Sequence, residues 1–147
     1  MTPKTPSPLG RAGVGPDTLS VWQLVERARH QDRPYFGDYV SRLVPDFVEL
    51  HGDRLSADDP ALVAGVGTWH GRTSIFMGNQ KGRTLSDRLR RNWGMMHPEG
   101  YRKAIRLAHQ AAKVGFPIVC LVDTPSACPG AGAEERGIAA AIAGAVM

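Results

Sequence analysis

The sequence predicts an α/β fold, and three observations predict it. Two apolar runs, 61–69 and 72–78, flank the dipeptide His70-Gly71, which is the pattern of a hairpin. From Pro98, apolar or small residues recur at helical spacing as far as Ala112. A short continuous apolar run over 117–122 then leads through a Pro/Gly-rich loop into an Ala-rich helix.

The elements follow in chain order. Residues 1–16, MTPKTPSPLGRAGVGP, read as a flexible tail, since they are rich in Pro and Gly and lack the apolar stretch of a secretory signal. Asp17 or Thr18 can cap a helix reaching His30, with Leu19, Trp22, Leu24 and Val25 as a loose apolar stripe. Pro34 ends that run, and a second short helix is expected over 36–43, before Pro45. PDFVELHGDR is a short apolar piece closing in a turn at Gly52 and Asp53. In ALVAGVGTW the small residues allow another backbone to approach a strand closely. RTSIFMG is the return strand, and the basic stretch NQKGRTLSDRLRRNWGMM is a loop with some helix in it.

Pro98 suits the first turn of a helix. Tyr101, Ala104, Ile105, Ala108, Ala111 and Ala112 form one face of that helix, Arg102, Arg106, His109 and Lys113 fall mainly on the other, and Gly115 ends it. PIVCLV reads as a strand buried on both faces. DTPSACPGAGA is a loop, and a last helix is expected from about Glu134. The chain closes on GIAAAIAGAVM without a stop signal, so the sequence reads as ending inside a helix. Domain organisation is thus a tail over 1–16 and one α/β domain over 17–147.

Composition narrows the function classes. With 147 residues, 42% hydrophobic and 22% charged, the chain is an ordinary globular domain. No apolar run approaches the roughly 18–20 residues of a membrane span. The two cysteines, Cys120 and Cys128, exclude a disulfide scaffold and multi-cysteine zinc modules, and point to a reducing compartment, the cytoplasm. The five histidines have no metal-ligand spacing, so no metal site is expected. The net charge of +4 is unevenly placed: the window from Lys81 to Lys113 holds nine basic and two acidic residues. Either an anionic partner binds there or the window is a solvated face.

The strand–loop–helix VCLVDTPSACPGAGAEERG is the segment with most chemical promise. In α/β proteins ligands gather where strands end and loops enter helices. Gly130 and Gly132 permit unusual backbone angles, which can turn successive N–H groups toward one point beside a helix N-terminus. Such a device binds an anion or stabilises an oxyanion. The dinucleotide fingerprint fails because Glu135 stands where its third glycine belongs, and the phosphate-loop Lys-Ser or Lys-Thr is missing. A plain Gly-rich turn into a helix fits the same local pattern. Cys128 has no histidine near it in sequence, and Asp123, Glu134 and Glu135 suit helix capping and ion pairing at least as well as acid–base work.

Several segments together resemble one family, the carboxyltransferase alpha subunit of multi-subunit (bacterial and plastid type) acetyl-CoA carboxylase. They are RPYFGDYVSRLVPDFVELHGDR, ADDPALVAG, GNQKGR, RRNWGMMHPEGYRKAIRLA and FPIVCLVDTPSACPGAGAEERG, in order from about Ala28 onward. The resemblance implies a crotonase-like (ClpP/crotonase) spiral of β-β-α turns, here apparently truncated. It implies transfer of a carboxyl group from carboxybiotin, on the biotin carboxyl carrier protein, to acetyl-CoA, giving malonyl-CoA for fatty acid synthesis. The implied partners are a zinc-bearing beta subunit in an α2β2 assembly, the carrier protein and biotin carboxylase, with no nucleic acid and no membrane.

By the same resemblance the catalytic segment is Gly130, Ala131, Gly132 and Ala133, whose N–H groups would shelter charge on the ureido oxygen, with Gly132 and Ala133 the foremost donors. No side-chain base is then required, because the biotin nitrogen freed by decarboxylation can accept the methyl proton of acetyl-CoA. Lys81, Arg83, Arg90 and Arg91 become candidates for the CoA phosphates or for an acidic partner surface. The sequence departs from the family loop at Ser126, where Gly is usual, at Cys128, where Tyr is usual, and at Ile138, where Gln is usual. Ser126 would restrict the loop if φ > 0 is needed there, and Cys128 removes an aromatic wall. Two alternatives remain at this point: a crotonase-type hydratase, isomerase or decarboxylase using Glu134 or Glu135, and a non-catalytic binding or assembly module.

Overall fold

The computed structural model describes residues 19–147. The expected tail over 1–16 and the proposed caps Asp17 and Thr18 lie outside the described residues. Two compact units divide at Arg33/Pro34. In the first, helix α1 (Val21–Ala28) is capped by Ser20 rather than by either earlier candidate. Ser20 Oγ accepts from the Gln23 N–H at 3.3 Å, and the Gln23 side chain accepts from the Ser20 N–H at 2.9 Å. This reciprocal capping box satisfies two donors that the first turn leaves open.

The second unit is a four-stranded sheet with helices on both faces. Its elements are α2 (Phe36–Leu43), β1 (Val48–Glu49), β2 (Leu62–Trp69), β3 (Arg72–Asn79), α3 (Leu85–Arg90), α4 (Pro98–Val114), β4 (Ile118–Leu121), α5 (Ala131–Glu135) and α6 (Ile138–Val146). The sheet order is β1-β2-β3-β4. β2 and β3 form the expected hairpin, in register from Leu62↔Asn79 to Trp69↔Arg72, and both turn residues, His70 and Gly71, have positive φ. That is the mirror-image turn whose twist matches the strands. β3 then pairs in parallel with β4 after the α4 crossover, completing a β-β-α-β unit.

The glycines of β2 do what their size suggests. A Cβ on Gly65 would collide with the Val48 carbonyl, so the bare backbone is what lets β1 dock. Two apolar clusters cover the sheet. Leu62, Ala64, Ile75 and Met77 pack against Leu107 and Ala111 of α4. Phe36, Val40 and Val44 pack against Phe76 on the other face. Period-2 alternation along β3 sends Ile75 and Met77 one way and Phe76 the other.

Three expectations are corrected. The buried line of α4 runs through Gly100, Lys103, Leu107 and Ala111, whereas Ala112 is exposed. β4 is not buried on both faces: it pairs with β3 alone, and Ile118 and Cys120 are exposed. The final helix begins at Ala131, not Glu134, and breaks at Gly137, whose φ of 79° lies in the left-handed region. Among the described residues no helix is long and apolar enough to cross a membrane.

Candidate functional site: the glycine-rich loop

The loop that leaves β4 is stitched to the end of β3 and to the segment before α4. Asn79 closes β3 and is buried; its Nδ2 donates to the Gly94 carbonyl at 3.1 Å, and its Oδ1 accepts the Asp123 N–H at 3.2 Å. Lys81 Nζ pairs with Asp123 Oδ1 at 2.5 Å. Further along, the Cys128 N–H donates to the Met96 carbonyl at 3.0 Å. Segments 79–81, 92–96 and 123–128 therefore form one platform at the C-terminal ends of two neighbouring strands. Asn92 and Trp93, consecutive non-glycine residues with φ of 45° and 53°, lie in this platform.

The loop ends at Gly130, the N-cap of α5, whose side-chain capping position is empty. Gly130, Ala131 and Gly132 are exposed and Ala133 is buried. The Ala133 N–H donates to the Gly130 carbonyl at 2.8 Å, and the Glu134 N–H reaches the same oxygen at 3.2 Å. Ala133, a foremost donor from sequence, thus already has its bond. Among the described residues the N–H groups of Ala131 and Gly132 have no partner, as expected of the first helical positions. Neither glycine owes its place to unusual backbone angles: Gly130 has φ −76° and ψ 149°, and Gly132 is helical. Ser126 is likewise absent from the positive-φ residues, so it imposes no restriction. Ile138 is buried in α6, and Glu134 and Glu135 are exposed.

Six of the nine basic residues in the window are ion-paired: Lys81, Arg83, Arg90, Arg91, Arg102 and Lys103. Arg83 meets Asp38 at 2.5 Å and lies 4.7 Å above the Tyr35 ring, Arg90 and Arg91 both reach Asp87 Oδ1 at 2.9 Å, and Arg91 also donates to the Pro60 carbonyl. Of the four CoA candidates, the Arg90 side chain is the most exposed at 59%, against 18% for Arg91 and 20% for Lys81. The acids that neutralise the window come largely from outside it: Asp38, Asp53, Asp58 and Asp123.

Sequence reasoning missed a buried ionic cluster at the start of α4. Asp53 Oδ1 accepts from the backbone of Leu55, Ser56 and Ala57, and Oδ2 accepts from Arg102 Nε at 2.8 Å. Burial alone would raise its carboxyl, but these donors reverse the sign and hold it well below the usual range. Glu99 Oε1 accepts from Arg102 at 3.0 Å and from Arg136 Nε at 2.9 Å, and its pKa is lowered despite burial. The only sequence signal was the Gly-Asp turn at Asp53, which says nothing about its partners. A groove of about 440 Å³ opens elsewhere, between α2 and the strands, lined by Phe36, Val40, Phe47, Val63 and Arg91. None of Gly130–Ala133 borders it.

Residues 16–147 match the sequence profile described as acetyl co-enzyme A carboxylase carboxyltransferase-like. The chain belongs to this family. It is 54% identical over 126 residues to the acetyl-coenzyme A carboxylase carboxyl transferase subunit alpha of Halorhodospira halophila, covering 86% of this chain and 40% of that relative. The subunit of the same name from Listeria monocytogenes is 51% identical over 125 residues, with 85% and 39% covered. The chain thus spans about 40% of the length of the curated relatives it matches. Among solved structures it resembles the transcarboxylase 12S core (22% identity, TM-score 0.62, 78% of this chain and 21% of that one). A single-chain, multi-domain long-chain acyl-CoA carboxylase is similar to it at 20% identity and TM-score 0.61, over 80% of this chain and 12% of that one. The β-β-α-β unit of this family member is accordingly of the crotonase-like class expected from the sequence.

Proposed function

We propose that this chain supplies the carboxybiotin side of an acetyl-CoA carboxylase carboxyltransferase, with the N–H groups of Ala131 and Gly132 receiving the ureido oxygen. One observation carries the reading: two adjacent, exposed amides without partners open the first turn of α5, on the segment that the family resemblance marks. The backbone at Gly130 is open: a Cβ there would touch only Cys128 Sγ, at 3.8 Å. When bound, carboxybiotin supplies the carboxyl group. The chain's part is electrostatic: fixed amide dipoles favour the state in which the accepting oxygen carries more charge, and need no reorganisation to do so. The reading includes a beta subunit with its own zinc, completing an α2β2 assembly in the cytoplasm, and the biotin carboxyl carrier protein and biotin carboxylase as further partners. Acetyl-CoA is the acceptor, and Arg90 is the residue retained as a contact for its phosphates.

Ala131→Pro tests this directly. Proline at the first helical position removes one N–H and preserves the helix. Gly130 already has the extended backbone that a residue before proline requires. In the assembled enzyme kcat should fall about 10²–10³-fold, the loss typical of one oxyanion donor. Full turnover in a variant that melts like the parent would refute the assignment.

A further inference from the structure

Arg136 ends α5, and its guanidinium turns back along the helix it follows. Nε donates to Glu99 Oε1 at 2.9 Å, and one terminal nitrogen meets His97 Nδ1 at 3.2 Å. Arginine can only donate, so in this contact Nδ1 of His97 is the acceptor. The other terminal nitrogen lies 3.2 Å from where a Cβ on Gly132 would stand. The Arg136 carbonyl is held as well, by Arg102 at 3.2 Å. Glu99, Arg102 and His97 are in or next to the first turn of the 17-residue helix α4.

We infer that Arg136 is a positioning residue for the Ala131 and Gly132 amides, an inference that rests on the functional reading above. Helix α5 has five residues, one buried side chain and no side-chain cap, and it is cut off by the left-handed Gly137. A helix that short has no stable axis of its own. The Arg136 side chain and carbonyl bind it to α4, so the direction of the two open amides follows from the Glu99–Arg136–Arg102 clamp. Gly132 gains a steric reason in the same stroke: it leaves room for the guanidinium beside the first turn.

The test compares Arg136→Gln and Arg136→Lys with the parent in the assembled enzyme, by kinetics and by deuterium exchange over residues 130–136. Arg136→Gln should lower kcat by about 10²-fold, the scale of a 1 Å misplacement, with KM for acetyl-CoA unchanged. Deuterium uptake at Ala133 and Glu134, whose amides hold the first turn closed, should rise. Lysine, which keeps the charge but not the two-point grip, should restore only part of kcat. Unchanged uptake, or unchanged kcat in Arg136→Gln, overturns the inference. If the parent transfers no carboxyl group, the functional reading fails, while the uptake comparison still decides whether the clamp fixes the turn.

Discussion

Lys103 is completely buried in α4, and its Nζ lies 2.8 Å from Asp58 Oδ1 and 2.9 Å from the Leu62 carbonyl. An ammonium ion in the core survives only because these acceptors replace water. Removing the carboxylate alone strands the charge, so Asp58→Ala should cost about 3–5 kcal/mol in a urea melt. Lys103→Met removes the charge and keeps an apolar chain of similar length, so its loss should be distinctly smaller. Equal losses for the two variants would show that the ion pair does not govern this site.

Acid should unfold the domain through the same carboxylates. Burial raises the Asp58 pKa, but Lys103, the Gly52 N–H and His51 more than reverse this and hold it at about 2. Asp53 and Glu99 are shifted in the same direction. A carboxyl whose folded pKa is depressed adds stability above its unfolded pKa and loses it as pH falls through the folded value. Stability should therefore decline from about pH 4 toward pH 2. Asp58→Asn should flatten part of that decline. Asp59 acts with the opposite sign: burial raises its carboxyl despite N–H bonds from Ala61 and His97, so its contribution falls as pH rises above the ordinary aspartate range.

The basic window shows how far the sequence could be read. The hairpin, α2 and α4 were legible because turn residues, prolines and helical periodicity are local signals. Charge pairing is not local: Asp53 lies 49 positions from Arg102, and Asp123 lies 42 from Lys81. A count over 81–113 therefore found nine cations without showing that the fold ion-pairs six of them. β4 was misread for a similar reason, since an apolar run does not reveal how many strands flank it. The Gly130–Ala133 segment was found correctly as a turn into a helix, but which of its amides stay open depends on where the helix starts, three residues earlier than the sequence suggested.

Arg90 and Arg91 should separate cleanly despite sharing Asp87. Arg91 also donates to the Pro60 carbonyl and is largely covered, so Arg91→Ala should lower stability by about 1–3 kcal/mol by leaving that acceptor unmatched. The exposed Arg90–Asp87 pair should contribute less than about 1 kcal/mol. Arg90→Glu should instead raise KM for acetyl-CoA in the assembled enzyme, more strongly at low salt than at high salt. An unchanged KM at low salt would remove Arg90 from the CoA site.

Asn79 ties the three segments of the platform together, and its two side-chain bonds have opposite polarity. Nδ2 gives a proton to Gly94, and Oδ1 takes one from Asp123. Asn79→Asp keeps the acceptor but sets a second oxygen against the Gly94 carbonyl, in a position that is 4% exposed. Asn79→Ala removes both bonds and leaves a buried carbonyl unsatisfied, at about 1–3 kcal/mol. Aspartate should therefore be the worse substitution at neutral pH: it must either carry a buried charge or protonate, and protonation restores a donor toward Gly94. Its melting-temperature deficit relative to the parent should shrink as pH is lowered from neutrality toward the aspartate range, because burial raises the carboxyl's pKa, while that of the alanine variant should not. Parallel pH profiles for the two would show that the Gly94 bond does not hold the loop.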